Sequence, residues 1–184
     1  MIGPLEVLKD VTARFDQLKI DYFLVGSLAA MFYSRPRFTN DIDLVVQIKS
    51  GQLKDFEINF PLDDYNAPPA EVLHDEILRM GTFNLIHQAS GIKIDIVLLK
   101  NTEFYEAEFS RRKKVKFTAD FEAYIASPED IIIKKLDFYR EGGSEKHIAD
   151  IREIISCNDI DQAYLNKWLH HFGLQAVWEQ AQLK

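Results

Sequence analysis

The chain lacks the features that mark a secreted or membrane-bound protein. It has one cysteine, Cys157, so no internal disulfide framework can form. No stretch approaches ~18 consecutive apolar residues, and no cationic-then-apolar leader opens the sequence, so neither a membrane span nor secretion is expected. Excess positive charge is lacking as well. With 22 basic against 29 acidic residues the net charge is −7, which argues against broad electrostatic capture of nucleic acid but leaves room for a local basic patch. Internal repeats and low-complexity tracts are missing. What remains is a globular chain expected in the cytoplasm. Its 184 residues, 47% of them apolar, suffice for one domain, or for one domain with a small helical appendage.

Three aspartates stand out against this background. Asp41 and Asp43 lie in Asn40-Asp41-Ile42-Asp43-Leu44-Val45-Val46, and Asp95 lies in Ile92-Lys93-Ile94-Asp95-Ile96-Val97-Leu98-Leu99. Side chains alternate along a strand, so Asp41 and Asp43 share one face while Ile42 and Leu44 point into a core. Asp95 repeats the pattern on a second apolar run. Carboxylates gathered on neighbouring strands repel one another unless a cation lies between them. Mg²⁺, with its demand for hard oxygen ligands and its habit of retaining substrate phosphates, suits such a set, and Mn²⁺ is the alternative. The pattern points to metal-dependent phosphoryl or nucleotidyl transfer.

Upstream, Tyr22-Phe23-Leu24-Val25 reads as a short buried strand, Gly26-Ser27 as a tight turn and Leu28 to Tyr33 as the opening of a helix. Gly26 lets backbone approach a ligand, Ser27 offers a hydroxyl, and the helix start offers N–H groups to an anion. Alone, a Gly-Ser turn is usually only a turn. Beside Asp-x-Asp and a lone strand aspartate it reads as a phosphate seat.

The combination of Val25-Gly26-Ser27, thirteen intervening residues, Asp41-Ile42-Asp43 and Lys93-Ile94-Asp95-Ile96 resembles the signature of the DNA polymerase beta-like nucleotidyltransferase superfamily. It is most similar to small prokaryotic members grouped with the AbiEii-type toxins. Arg37-Phe38-Thr39-Asn40, Ser127-Pro128-Glu129-Asp130 with Lys134-Lys135-Leu136, and Gly143 to Ile151 look like further parts of that branch, from which Glu145-Lys146-His147 departs. The resemblance implies an α+β nucleotidyltransferase fold, a mixed sheet flanked by helices with a C-terminal helical lobe. It implies that Asp41 and Asp43 hold Mg²⁺ against an NTP while Asp95 completes a metal site and helps deprotonate an acceptor hydroxyl. The implied acceptor is RNA, tRNA or a protein, and the implied setting is a toxin–antitoxin or phage-defence pair with an antitoxin partner.

Along the chain, Pro4 with Leu5, Leu8, Val11, Phe15 and Leu18 predicts an amphipathic helix over 4–19. Residues 34–40 read as a polar bend. The mixed stretch 49–79, broken by Pro61, Pro68 and Pro69, gives no secure elements. Phe83 to His87 and Lys93 to Leu99 read as a hairpin through Gln88 to Gly91, and Val115 to Phe117 and Ala123 to Ile125 as edge strands. Beyond Ala126 the pattern turns helical: Ser127 caps a helix to about Arg140, Gly142-Gly143 ends it, Ser144 caps the next, and two more follow around 161–171 and 174–182. The expected division is a catalytic domain over 1–126 and a helical lobe over 127–184.

The remaining candidates carry two readings each. Arg37 either contacts phosphate or acceptor or is simply solvated, and Arg111 to Lys116 is either an RNA-binding patch or a solvated charge run. His147 and Asp150 share a helix face and read as a buried His–carboxylate pair joining two lobes, ahead of a nucleotide contact. Trp168 and Trp178 read as core. In the helix after Pro128, Ile131, Ile132, Leu136 and Tyr139 form the inward stripe, with Lys135 inside it and Lys134 outside, in solvent. The resemblance places a phosphate-contacting lysine just before a leucine, which selects Lys135. Against transfer to a macromolecule stand two rivals: transfer to a small molecule such as an antibiotic, and a module that binds nucleotide without turnover.

Overall fold

The computed structural model describes residues 2–182. A seven-stranded mixed sheet forms the frame, in the order β3-β4-β5-β2-β1-β7-β6. The strands are β1 (Asp21–Val25), β2 (Asp41–Gln47), β3 (Tyr65–Asn66), β4 (Thr82–His87), β5 (Lys93–Leu98), β6 (Lys113–Thr118) and β7 (Phe121–Ile125). The helices are α1 (Pro4–Leu18), α2 (Gly26–Phe32), α3 (Leu53–Asn59), α4 (Ala70–Arg79), α5 (Glu103–Arg111), α6 (Pro128–Gly142), α7 (Glu145–Cys157), α8 (Gln162–Phe172) and α9 (Gln175–Gln182). Buried residues from the sheet and from α1, α2, α6, α7, α8 and α9 join in one hydrophobic cluster, with Trp168 fully enclosed and Trp178 nearly so. No helix among the described residues is long and apolar enough to cross a membrane.

The centre of the sheet is built by alternation. In β2, Ile42, Leu44 and Val46 are buried, and in β5, Ile94, Ile96 and Leu98 are buried, so each strand commits one face to the core and leaves its aspartates on the other. β2 and β5 run parallel and β1 pairs antiparallel with β2, which fixes the register of all three. The hairpin of β4 and β5 forms as expected.

Three expectations are corrected. β7 is no edge strand: it lies between β1 and β6, and the sheet edges are β6 and the two-residue β3. The stretch 49–79 holds α3, β3 and α4, with Pro69 standing just before α4, where proline starts rather than breaks a helix. Lys134 is not solvated. Helix α6 is buried on most of its circumference, including Ile131, Ile132, Ile133, Lys135 and Leu136. Its outer side is covered by α5, which presents the fully buried Glu108 to Lys134 at 2.6 Å.

The Glu108 and Lys134 pair carries a pH dependence. Burial drives the Glu108 carboxyl up to about 7, against the attraction of Lys134. The folded state therefore holds a proton that the unfolded chain releases. The stabilising contribution is complete below about pH 4.5 and is lost as pH rises to about 7, amounting to about 3 kcal/mol over that window. Urea unfolding across pH 4.5–8 is expected to show this decline in the wild type and to lose it in Glu108→Gln. An unchanged slope in the variant would place the dependence elsewhere.

Candidate functional site

The register of the parallel β2 and β5 pair sets Asp43 directly beside Asp95 and Asp41 beside Lys93. Four charged side chains thus project from one face of two adjacent strands. Burial raises the Asp43 pKa first, and the neighbouring charges of Asp95 and Asp41 raise it further, against a hydrogen bond from the Ser27 backbone N–H and the charge of Lys135. Lys93 sits among the carboxylates. Its Nζ lies 2.7 Å from Asp95 Oδ1 and donates to Oδ2 at 3.0 Å, and Asp95, Asp41 and Asp43 together raise its pKa.

Gly26 is the contact that seats Asp43. Its φ of +67° lies in the left-handed region, and a Cβ there would fall 2.0 Å from Asp43 Oδ2 and 2.8 Å from Asp43 Cβ. Only glycine satisfies both conditions. α2 starts at Gly26, two residues before its expected start, and in this structure the Ser27 N–H at that start donates to Asp43. Gly26→Ala is expected to cost at least about 1–2 kcal/mol from backbone conformation alone and to displace Asp43. A melting curve and a transfer assay matching wild type would contradict that packing.

A chain of polar contacts runs from this turn to the helices. Arg37 Nη2 donates to Ser27 Oγ at 2.7 Å and to Asp150 Oδ2 at 3.0 Å, and Arg37 Nε donates to Asp150 Oδ1 at 3.1 Å. Lys135 Nζ donates to Asp150 Oδ2 at 2.6 Å. Burial would raise the Asp150 pKa, but Arg37 and Lys135 outweigh it and hold the carboxyl below its ordinary range. Lys135, 4% exposed, is pulled down by burial and supported by Asp150. Arg37 is thereby bound rather than solvated. The expected His147–Asp150 pair is not formed: Asp150 is taken by two cations, and His147 stacks on Phe138. Alternation and helical spacing place residues on faces. They could not show that the bend at 34–40 folds Arg37 back onto α7.

Two members of the basic cluster are tied into the fold, while Lys113, Lys114 and Lys116 stay exposed. Arg111 pairs with Glu129 at 3.1 Å and lies over the Tyr164 ring, and Arg112 pairs with Asp21 at 3.1 Å and lies over Phe109. A cavity of about 330 Å³ lined by Phe56, Phe60, Pro68 and Leu73 includes none of the site residues.

The donor set fits a divalent cation in chemistry: carboxylate oxygens on one face, whose mutual repulsion adds to burial in raising the Asp43 pKa. Among the described residues no group of three His, Cys, Asp or Glu side chains is already drawn together closely enough to hold a metal ion. Lys93 supplies the positive charge on Asp95 instead.

Among solved structures, the fold is similar to an antigenic nucleotidyltransferase-like protein from Paracoccidioides brasiliensis (TM-score 0.59, 21% identity, covering 98% of this chain and 94% of that one). It is also similar to the lincosamide antibiotic adenylyltransferase LnuA in its lincomycin-bound form (TM-score 0.58, 13% identity, 85% of this chain and 99% of that one). A third likeness is to ANT(2")-Ia in complex with adenylyl-2"-tobramycin (TM-score 0.58, 16% identity, 95% of each chain). The chain matches no curated protein sequence. These likenesses give the nucleotidyltransferase fold, and the model of the family described as "Nucleotidyltransferase of unknown function (DUF6036)" matches residues 5–182, nearly the whole length, so the chain belongs to that nucleotidyltransferase family.

Proposed function

We propose that this chain transfers a nucleoside monophosphate from an NTP to a hydroxyl of an acceptor, with Asp41, Asp43 and Asp95 holding Mg²⁺ or Mn²⁺. The observation that carries the reading is the in-register placement of Asp43 and Asp95, with a cationic chain from Ser27 through Arg37 and Asp150 to Lys135 beside them. Divalent metal, when bound, neutralises the phosphates and lowers the pKa of an attacking oxygen. Lys135 and Arg37 bind the triphosphate, and Ser27 hydrogen-bonds its β and γ groups. The acceptor oxygen attacks the α-phosphorus as its proton passes to Asp95, the bond to the bridging oxygen breaks, and pyrophosphate leaves. Residues 1–126 serve as the catalytic domain and 127–184 as a lobe that supplies Lys135. The ends of that division, residues 1 and 183–184, lie outside the described residues.

For the acceptor, the resemblance to AbiEii-type toxins supports RNA, tRNA foremost, or a protein, within a cytoplasmic toxin–antitoxin or phage-defence pair that includes an antitoxin. A specific observation favours a second reading, in which a small molecule accepts the nucleotide. Arg111 and Arg112 are bound into ion pairs, which removes two charges from any RNA-facing patch, and antibiotic adenylyltransferases share the fold. Incubation with each radiolabelled NTP, Mg²⁺ and total cell RNA or lysate separates the readings by whether RNA, protein or a small molecule becomes labelled. No labelled product from any NTP would favour a module that binds nucleotide without turnover.

A further inference from the structure

Helices α6 and α7 form an antiparallel hairpin closed by Gly143, whose φ of +65° ends α6. The Lys135–Asp150 contact is one rung of this hairpin. The next rung toward the turn is Phe138 with His147, each three residues away from its counterpart, a displacement of about 4.5 Å along a helix. Their rings stack, with centroids 5.8 Å apart and planes at 24°. Phe138 is nevertheless 57% exposed, although Leu136 two residues earlier is fully buried. A large apolar ring is thus held flat by a second ring and left open on its other side.

His147 is the ring that backs it. Its Nδ1 is enclosed and has no hydrogen-bond partner. Burial, followed by the charge of Lys135 and more weakly those of Lys146 and Arg37, lowers its pKa against the pull of Asp150, which disfavours the charged ring. The same interactions place the imidazole within electrostatic reach of the cations assigned above to the triphosphate. An open phenyl face, backed by a second ring, matches the face of a planar heterocycle.

We propose that Phe138, backed by His147, forms the seat of the donor's nucleobase, the base stacking on the open face of the phenyl ring. The inference rests on the nucleotidyl-transfer reading of the site. In an NTP the base is joined to the phosphates through a single sugar, and the aromatic rung lies one step outward from the phosphate-binding rung, as that connection requires. Lys135 and Arg37 read charge, which all NTPs share. The aromatic rung reads the one part that distinguishes a nucleotide from bare polyphosphate.

The test compares equilibrium binding of Mg²⁺–NTP and of Mg²⁺–tripolyphosphate by calorimetry, in the wild type and in Phe138→Ala, Phe138→Tyr and Leu78→Ala. The last truncates an exposed side chain on α4. Melting curves verify that each variant is folded. Phe138→Ala is expected to weaken NTP binding about ten-fold, within the range for removing a base–aromatic stack, and to leave tripolyphosphate affinity unchanged. Phe138→Tyr and Leu78→Ala are expected to bind both ligands as the wild type does. Equal loss for both ligands in Phe138→Ala, or no loss for either, would overturn the nucleobase assignment and leave the phosphate site standing. A wild type that binds neither ligand would overturn the site reading and this inference with it.

Discussion

Asp43→Asn is expected to abolish nucleotidyl transfer while leaving the metal-free protein as stable as the wild type, or more stable. The two effects come from one fact of geometry. β2 and β5 place Asp43 beside Asp95, and burial together with the charges of Asp95 and Asp41 disfavours the ionised form of Asp43. A carboxylate raised above its unfolded pKa stabilises the fold most below that unfolded value, and the contribution is lost as pH rises through the folded pKa. Charging Asp43 is therefore a cost to the fold, and asparagine, which has nearly the same shape and still accepts from the Ser27 N–H, removes it. Turnover should fall by three orders of magnitude or more, roughly the several kcal/mol that a metal centre contributes. Label transfer and a melting curve, measured on the same preparation, check both halves. Transfer at the wild-type rate would remove Asp43 from the site. Lost transfer with a collapsed melting curve would make it a structural residue.

Lys134→Ala and Lys135→Ala are expected to fail in different ways. Lys135 lies at 2.6 Å from Asp150, which keeps two contacts with Arg37 when the lysine is removed. Its loss should therefore be felt mainly in NTP binding or turnover, by about 1.5–3 kcal/mol, the range for hydrogen bonds to charged groups. Lys134 lies at 2.6 Å from Glu108, which has no exposure at all. Removing one partner of a buried pair typically costs about 3–5 kcal/mol, and here the figure sits at the lower end because Glu108 can take up a proton. Lys134→Ala should thus lose stability, more at pH 8 than at pH 6, while its folded fraction turns over normally. Urea titrations and turnover per folded molecule separate the outcomes. Matching profiles for the two variants would show that the pairings do not divide the helix as described.

The carboxylate face was legible in the sequence because strand alternation is strict. Asp41, Asp43 and Asp95 each sit at every second position of an apolar run, and pairing β2 with β5 only had to bring the runs together. The Ser127 cap was legible for a similar reason, since it depends on residues three apart: its Oγ accepts from the Asp130 N–H. What stayed hidden depends on contacts distant in sequence. Helix α5 has a charged residue, Glu108, at a fully buried position four residues after Phe104, so its apolar pattern is broken where it matters. With α5 unseen, the outer side of α6 looked open to water and Lys134 looked solvated. Asp150 was placed correctly on its helix face, but its partner was chosen from that helix, when the true partners come from α6 and from the bend at 34–40. Lys93 was readable by alternation, two residues before Asp95 on the same face, yet only the register with Asp41 shows that it stands among three carboxylates.

The central claim is that the bond broken lies between the α- and β-phosphorus of an NTP. The most direct measurement incubates the wild type with Mg²⁺, lysate and one NTP carrying radiolabel either at the α-phosphate or at the γ-phosphate. The account predicts that α-label moves onto an acceptor and that γ-label leaves as pyrophosphate, with Asp43→Asn silent in both. Transfer of γ-label to the acceptor, with α-label retained in a nucleoside diphosphate, would contradict it.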